Sequence, residues 1–169
     1  MLCIGLFGTC GKSIWRTRFM KKYMDEGITY FNPQVDDWNP EFAKVEAKHL
    51  AEDDIILFPV TAETYGTGSL AETGFSILQV TRTIKNRSLI VLIENKLQQQ
   101  LHINNPEAYK ESMRARSLVR AHLEHIKFPN VYIVESLDEM LELSLKLYSI
   151  HKQLNELKPF SNELETHIA

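Results

Sequence analysis

A chain of 169 residues with 19 Lys and Arg against 22 Asp and Glu, net charge −3, is long enough to bury one core and too short for two full-sized domains flanking a cleft. Its cations are scattered rather than massed, which excludes a dedicated nucleic-acid or membrane surface and points to small ligands. No apolar run approaches the roughly 20 residues that span a bilayer, and neither end has a basic stretch followed by an apolar one; a soluble, cytoplasmic protein is expected, with no nucleic-acid polymer and no membrane as partner.

In chain order, the apolar run Leu2 to Phe7 predicts a buried strand. The small-residue turn Gly8-Thr9-Cys10-Gly11-Lys12-Ser13 follows, then a helix over roughly 13–26. A second strand, Ile28 to Phe31, leads through the polar loop Asn32 to Pro40 into a helix over 40–52. The third strand, Ile55 to Val60, is followed by a loop with two glycines and a helix over 69–85. Leu89 to Ile93 is the fourth strand, and Asn95 to Pro106 is a long polar connection, read as a flap or subunit contact, before a helix over 106–126. The fifth strand, Val131 to Val134, precedes a helix over 136–157.

Buried strands alternating with helices predict an α/β fold. Right-handed crossovers favour a flavodoxin-like three-layer sandwich, a five-stranded parallel sheet in the order 2-1-3-4-5 with helices on both faces. Residues 1–158 form one expected domain and 159–169 a tail. Cys3 and Cys10 show no CxxC and no Cys/His spacing suited to zinc, so both are read as free thiols, with no metal and no cofactor.

In such sheets ligands bind at the carboxyl ends of the strands where strand order reverses, here the loops after the first and third strands. The Gly8-Thr9 turn offers backbone N–H groups to an anion, although it is neither a Walker A nor a GxGxxG sequence and is equally readable as a bland turn. In the other loop a helix expected to start near Ser69 puts Glu72 in its first turn. There the two residues form either a capping box or, with Gly68 leaving room, an ionised and accessible carboxylate facing a substrate. Such an anion suits attack on an anomeric carbon, whose transition state is oxocarbenium-like. In the second loop Trp38 can stack on a planar base while Asn32, Asp36 or Asp37 accepts hydrogen bonds; turn formation and a hydrophobic staple are the competing explanation. Glu46 shares a helix face with Val45, His49 and Leu50, and either snorkels out or points into the site.

Leu6-Phe7-Gly8-Thr9, Trp15-Arg16, Tyr30-Phe31-Asn32-Pro33-Gln34 with Asp37-Trp38, and Ser69-Leu70-Ala71-Glu72-Thr73-Gly74-Phe75 together resemble the nucleoside 2-deoxyribosyltransferase-like proteins over roughly residues 2–94. The resemblance implies that Glu72 is the nucleophile attacking C1′ of the sugar. It implies that Glu46, eight residues before Asp54, contacts the base and assists its departure. It gathers Gly8, Thr9, Trp15, Asn32, Asp37, Trp38, Gly68 and Ser69 about the substrate. The family's nucleoside transferases hold the sugar with an aspartate six residues before the nucleophile, where this chain has Gly66. Ser69 and the Gly8-Thr9 turn are more similar to the branch that hydrolyses nucleoside monophosphates. A homo-oligomer is also implied; the family often completes each site from the region after the fourth strand, here around Glu94 and Asn95, but this sequence departs most from the family there, and no specific partner residue is carried over.

The expected activity is therefore transfer of a sugar between a nucleoside or nucleotide and a free nucleobase through a glycosyl-Glu72 intermediate. A nucleoside 5′-monophosphate N-glycosidase is the first alternative, a non-catalytic nucleotide sensor the second. A flavin carrier is disfavoured because only Thr9 and Ser13 offer hydroxyls to a phosphate loop.

Overall fold

The computed structural model of the chain describes residues 2–11, 13–35, 39–82 and 87–160. Five short strands, β1 (Ile4–Leu6), β2 (Tyr30–Phe31), β3 (Ile55–Val60), β4 (Ser88–Ile93) and β5 (Val131–Val134), form one sheet in the order β2-β1-β3-β4-β5. Every pairing is parallel, with Ile4 opposite both Tyr30 and Ile55 and Ile55 opposite Ser88. β3 and β4 are buried at every residue. Strands covered on both faces read as unbroken apolar runs rather than alternating ones.

The helices are α1 (Trp15–Asp25), α2 (Pro40–Glu52), α3 (Thr67–Arg82), α4 (Gln99–Asn104), α5 (Pro106–Glu124) and α6 (Leu137–Leu157), which runs on into a 3₁₀ turn at Lys158–Phe160. Alternate strand residues feed two cores. Ile4, Leu6, Ile55, Leu57, Ile90 and Leu92 pack with Phe19 and Tyr23 of α1 and Met140 of α6. Ile56, Phe58, Val60, Leu89, Val91 and Ile93 pack with Leu70 and Val80 of α3 and Leu123 of α5. At about 1.5–3 kcal/mol for each fully buried large side chain, these two layers hold the sandwich together.

Helix starts follow local chemistry. The Asn39 side chain accepts from Phe42 N–H ahead of Pro40, and Asn105 accepts from Ala108 N–H ahead of Pro106. Ser136 caps α6 through Glu139 N–H. Each cap contributes about 1 kcal/mol. The connection from Asn95 to Pro106 contains the unpredicted α4, and Asn105 both ends that helix and caps the next.

A second departure bears on the site. The helix expected to begin near Ser69 begins at Thr67, with Leu70 N–H donating to Gly66 O at 2.8 Å. Ser69 is thus inside the helix, its carbonyl accepting from Thr73 Oγ1, and Glu72 is one turn further in than a capping box requires. Among the described residues no helix is long and apolar enough to cross a membrane.

Candidate active site

The crevice at the carboxyl ends of β1 and β3 is built on two buried arginines. Arg16 of α1 is 1 % exposed and donates from Nε to Leu6 O (2.8 Å) and from its terminal nitrogens to Thr9 O (2.5 Å) and Phe7 O (3.2 Å). A guanidinium that spends its donors on carbonyls pins the loop as it leaves β1. Burial pushes the Arg16 pKa down, and nearby Cys10 and Glu46 offset that.

The same loop is tied to β3. Thr9 N–H donates to Pro59 O at 2.8 Å, and Thr61 N–H donates to Thr9 Oγ1 at 2.9 Å. Gly8 makes this approach possible: its φ is +85°, and a Cβ there would lie 2.3 Å from Pro59 O. Trp15 is buried and its Nε1–H donates to Thr9 O at 3.0 Å, so the indole braces the loop from beneath. Gln34 joins from the second loop, its Nε2–H donating to Gly11 O at 2.8 Å. Asn32 Oδ1 accepts from Gln34 N–H within its own turn. Thr9, Trp15 and Asn32 therefore have internal partners that shape the crevice. Asp36, Asp37 and Trp38 lie outside the described residues.

The loop after β3 hangs on Arg116 of α5, a residue with no local signal in the sequence. It is 1 % exposed and donates to Val60 O (2.8 Å), Thr61 O (2.8 Å), Thr64 O (3.0 Å) and Glu94 O (3.0 Å). The Glu94 carboxylate accepts from Ala62 N–H, so both the backbone and the side chain of Glu94 hold this loop. Gly66 closes it with φ +67°, where a Cβ would stand 2.7 Å from Val60 Cγ1 and 3.0 Å from Arg116 Nη2. That crowding is the physical reason no aspartate occupies this position. Gly66→Ala is expected to lower stability by about 1–3 kcal/mol, measured by urea denaturation; an unchanged midpoint would show that the loop relaxes around a side chain.

On this frame α3 presents Glu72 and α2 presents Glu46. Gly68 and Ser69 lie in the first turn of α3; Gly68 is exposed, with nothing within 4 Å of where a Cβ would be. Glu72 is exposed at the residue level, yet its carboxyl is desolvated enough to push its pKa up, and the charge of Glu46 pushes it further. From sequence, the helix N-terminus is expected to keep Glu72 ionised; one turn deeper in the helix that effect has faded, and desolvation with a like charge dominates. Glu46 is half-buried, raised by desolvation and pulled back by Arg16. The exposed Cys10 thiol is raised by burial and feels Arg16, Glu46 and Glu72 in turn. The charge of Glu46 on α2 thus reaches Glu72 on α3, and the buried Arg16 reaches Glu46.

A cavity of about 700 Å³ lies behind α3, lined by Tyr65, Leu70, Ala71, Ser112 and Val119 among others. Neither Glu72 nor Glu46 lines it.

No curated protein matches the chain. A family model described as nucleoside 2-deoxyribosyltransferase like matches residues 4–94, from the start of β1 to just past β4, and so takes in both carboxylates and the loops that carry them. The chain belongs to the nucleoside 2-deoxyribosyltransferase-like family.

Proposed function

We propose that this protein cleaves the N-glycosidic bond of a nucleoside and transfers the sugar to another base through a covalent glycosyl-Glu72 ester. Family membership supports the general kind of function, a glycosyltransferase-type enzyme on small nucleosides. The observation that carries the finer reading is the pairing of Glu72 with Glu46, the charge of one raising the pKa of the other at the carboxyl edge of the sheet.

In the first half-reaction a Glu72 carboxylate oxygen bonds to C1′ as the bond from C1′ to the base nitrogen breaks. The bonding electrons leave with the base, which takes a proton from Glu46. A second base then attacks C1′ through a ring nitrogen, the C1′–O bond to Glu72 breaks with its electrons returning to the carboxylate, and the base's N–H proton passes to Glu46. In the free chain desolvation raises both carboxyl groups, with Arg16 drawing Glu46 back down and the Glu46 charge raising Glu72 further. Substrate separates their roles: positive charge growing at C1′ favours the Glu72 anion, and a hydrogen-bond-accepting base favours protonated Glu46.

The first loop supports a nucleoside over a 5′-monophosphate, because the Thr9 N–H that would meet a phosphate already donates to Pro59 O. A homo-oligomer belongs to the reading, since Phe75 and Leu78 are 66 % and 50 % exposed on the helix that carries Glu72. Apolar side chains so placed suit a subunit contact.

The test is incubation with deoxynucleosides and their 5′-monophosphates, with and without an acceptor base, following base exchange by chromatography. Exchange that requires the acceptor supports the transferase; base release without acceptor makes the protein an N-glycosidase, and binding without turnover makes it a sensor. The pH profile gives a sharper check. Turnover needs ionised Glu72, so activity falls on the acid side through its raised pKa. Glu46→Gln removes the neighbouring charge and is expected to shift the acid limb of the residual activity to lower pH. An acid limb that stays in place would detach Glu46 from the pair.

A further inference from the structure

At the opposite, amino-terminal edge of the sheet, three side chains from separate segments converge. Cys3 immediately precedes β1, Asp53 ends α2 just before β3, and His49 lies in the last turn of α2. Their sulfur, nitrogen and oxygen atoms all lie within 4.8 Å of one another. His49 Nδ1 is 2.9 Å from Asp53 Oδ1, and its ring is stacked on Phe31 with centroids 3.7 Å apart and planes 1° apart, which fixes the direction in which Nδ1 points.

Asp53 is 4 % exposed, and its Oδ2 is buried with no hydrogen-bond partner among the described residues. The donor chemistry beside the carboxylate is the Cys3 thiol, a weak donor. A buried carboxylate oxygen left in this state is unusual in a folded protein and calls for a partner. Among the described residues Arg87 spends its guanidinium on backbone carbonyls, donating to Asp53 O, Leu50 O and Gln79 O.

We propose that Cys3 Sγ, His49 Nδ1 and the Asp53 carboxylate bind a divalent cation of the zinc class, with water in a fourth position. Thiolate, imidazole and carboxylate are the donor set that zinc accepts at distances of about 2.0–2.3 Å. Two donor atoms now 2.9 Å apart need little movement to reach those distances. On binding, the thiol releases its proton to solvent, and a neutral His49 moves its ring proton from Nδ1 to Nε2 so that the Nδ1 lone pair faces the metal. Asp53 Oδ2 gains a partner in the same step.

The site ties the end of α2 to the starts of β1 and β3. No residue of α2 is fully buried, so the helix that carries Glu46 one turn before His49 has few other anchors. The metal is a clamp on that helix.

Cobalt(II), added to untagged full-length protein freed of metal by a chelator, is the probe. A saturable signal of one cobalt per chain is expected, with a thiolate-to-cobalt charge-transfer absorption that zinc displaces. Cys3→Ser should abolish the charge-transfer band and Cys10→Ser should leave it. His49→Gln, a surface-accessible change that serves if Cys3→Ser does not fold, should weaken binding by about 10-fold or more. Zinc should raise the Tm of the wild type and not of Cys3→Ser. Absence of saturable binding, a band that survives Cys3→Ser, or unchanged affinity in His49→Gln overturns the site, whatever the outcome of the base-exchange assay.

Discussion

Glu72→Gln is expected to cut sugar transfer by about 10⁴-fold or more while the fold stays intact. Removing a covalent nucleophile leaves only binding and the surrounding electrostatics, and losses of roughly 10⁴–10⁶ follow when such a group is deleted. Glu72 is exposed, so neither Gln nor Ala opens a core cavity. The stability change should run opposite to the activity change. The fold raises the Glu72 pKa, so the folded chain holds this proton more tightly than the unfolded one. Its contribution is favourable below the ordinary carboxylate range and is lost as pH rises through the raised pKa. At neutral pH the ionised group beside Glu46 is therefore an unfavourable feature of the folded state, and Gln relieves it. Solvent screening keeps that relief under about 1 kcal/mol, read as a small upward shift of Tm in a scan at neutral pH. Near-normal turnover in Glu72→Gln would remove the covalent mechanism. A fall in both activity and Tm would mean that Glu72 holds α3 in place.

Arg116→Met is expected to cost about 3–5 kcal/mol, the range for stripping the partner from buried charged and polar groups. Three carbonyl oxygens, of Thr61, Thr64 and Glu94, lose this donor together, while Val60 O keeps the Glu94 N–H at 3.1 Å. Each is worth about 1 kcal/mol net when satisfied and more when left buried and unmet. Burying the guanidinium has its own penalty, seen in the lowered Arg116 pKa, which offsets part of the loss. Arg116→Lys should recover little, because an ammonium cannot reach four carbonyls from one planar fork. The loop it holds sets where α3 begins, so kcat should fall in parallel as Glu72 loses its register with Glu46. Urea denaturation at constant m-value measures the loss. A shift under about 1 kcal/mol would show that water or Arg120, which already donates to Ile93 O, takes over the carbonyls.

The sheet is legible in the amino-acid sequence because each strand is a local signal. Ile55–Val60 and Ser88–Ile93 are apolar at nearly every position, and that pattern alone demands cover on both faces. Asn-Pro at residues 39–40 and 105–106 marks helix starts equally locally. α4 has no such signal, because Gln99–Asn104 lacks an apolar period and owes its existence to the neighbouring cap at Asn105. The start of α3 differs from its expected position by two residues because Ser69 resembles a cap, whereas the turn is made by Gly66 under Val60 and Arg116.

The site divides along the same line. Glu72 and Glu46 are legible through a resemblance in motif order, and the backbone brings them to one edge. The internal duties of Thr9, Trp15 and Asn32 are not legible, since each depends on which carbonyl or N–H comes within reach after folding. Arg116 reaches partners 52 to 56 positions away, and the Cys3, His49 and Asp53 cluster has no metal-like spacing in the chain. Apolar periodicity acts over neighbouring residues and so determined the strands, the helices and the winding of this protein from sequence alone. Hydrogen bonding and charge act between whichever groups end up a few ångströms apart; only the tertiary structure decided which polar side chains hold the loops, which carboxylate feels the charge of another and which buried oxygen lacks a partner among the described residues.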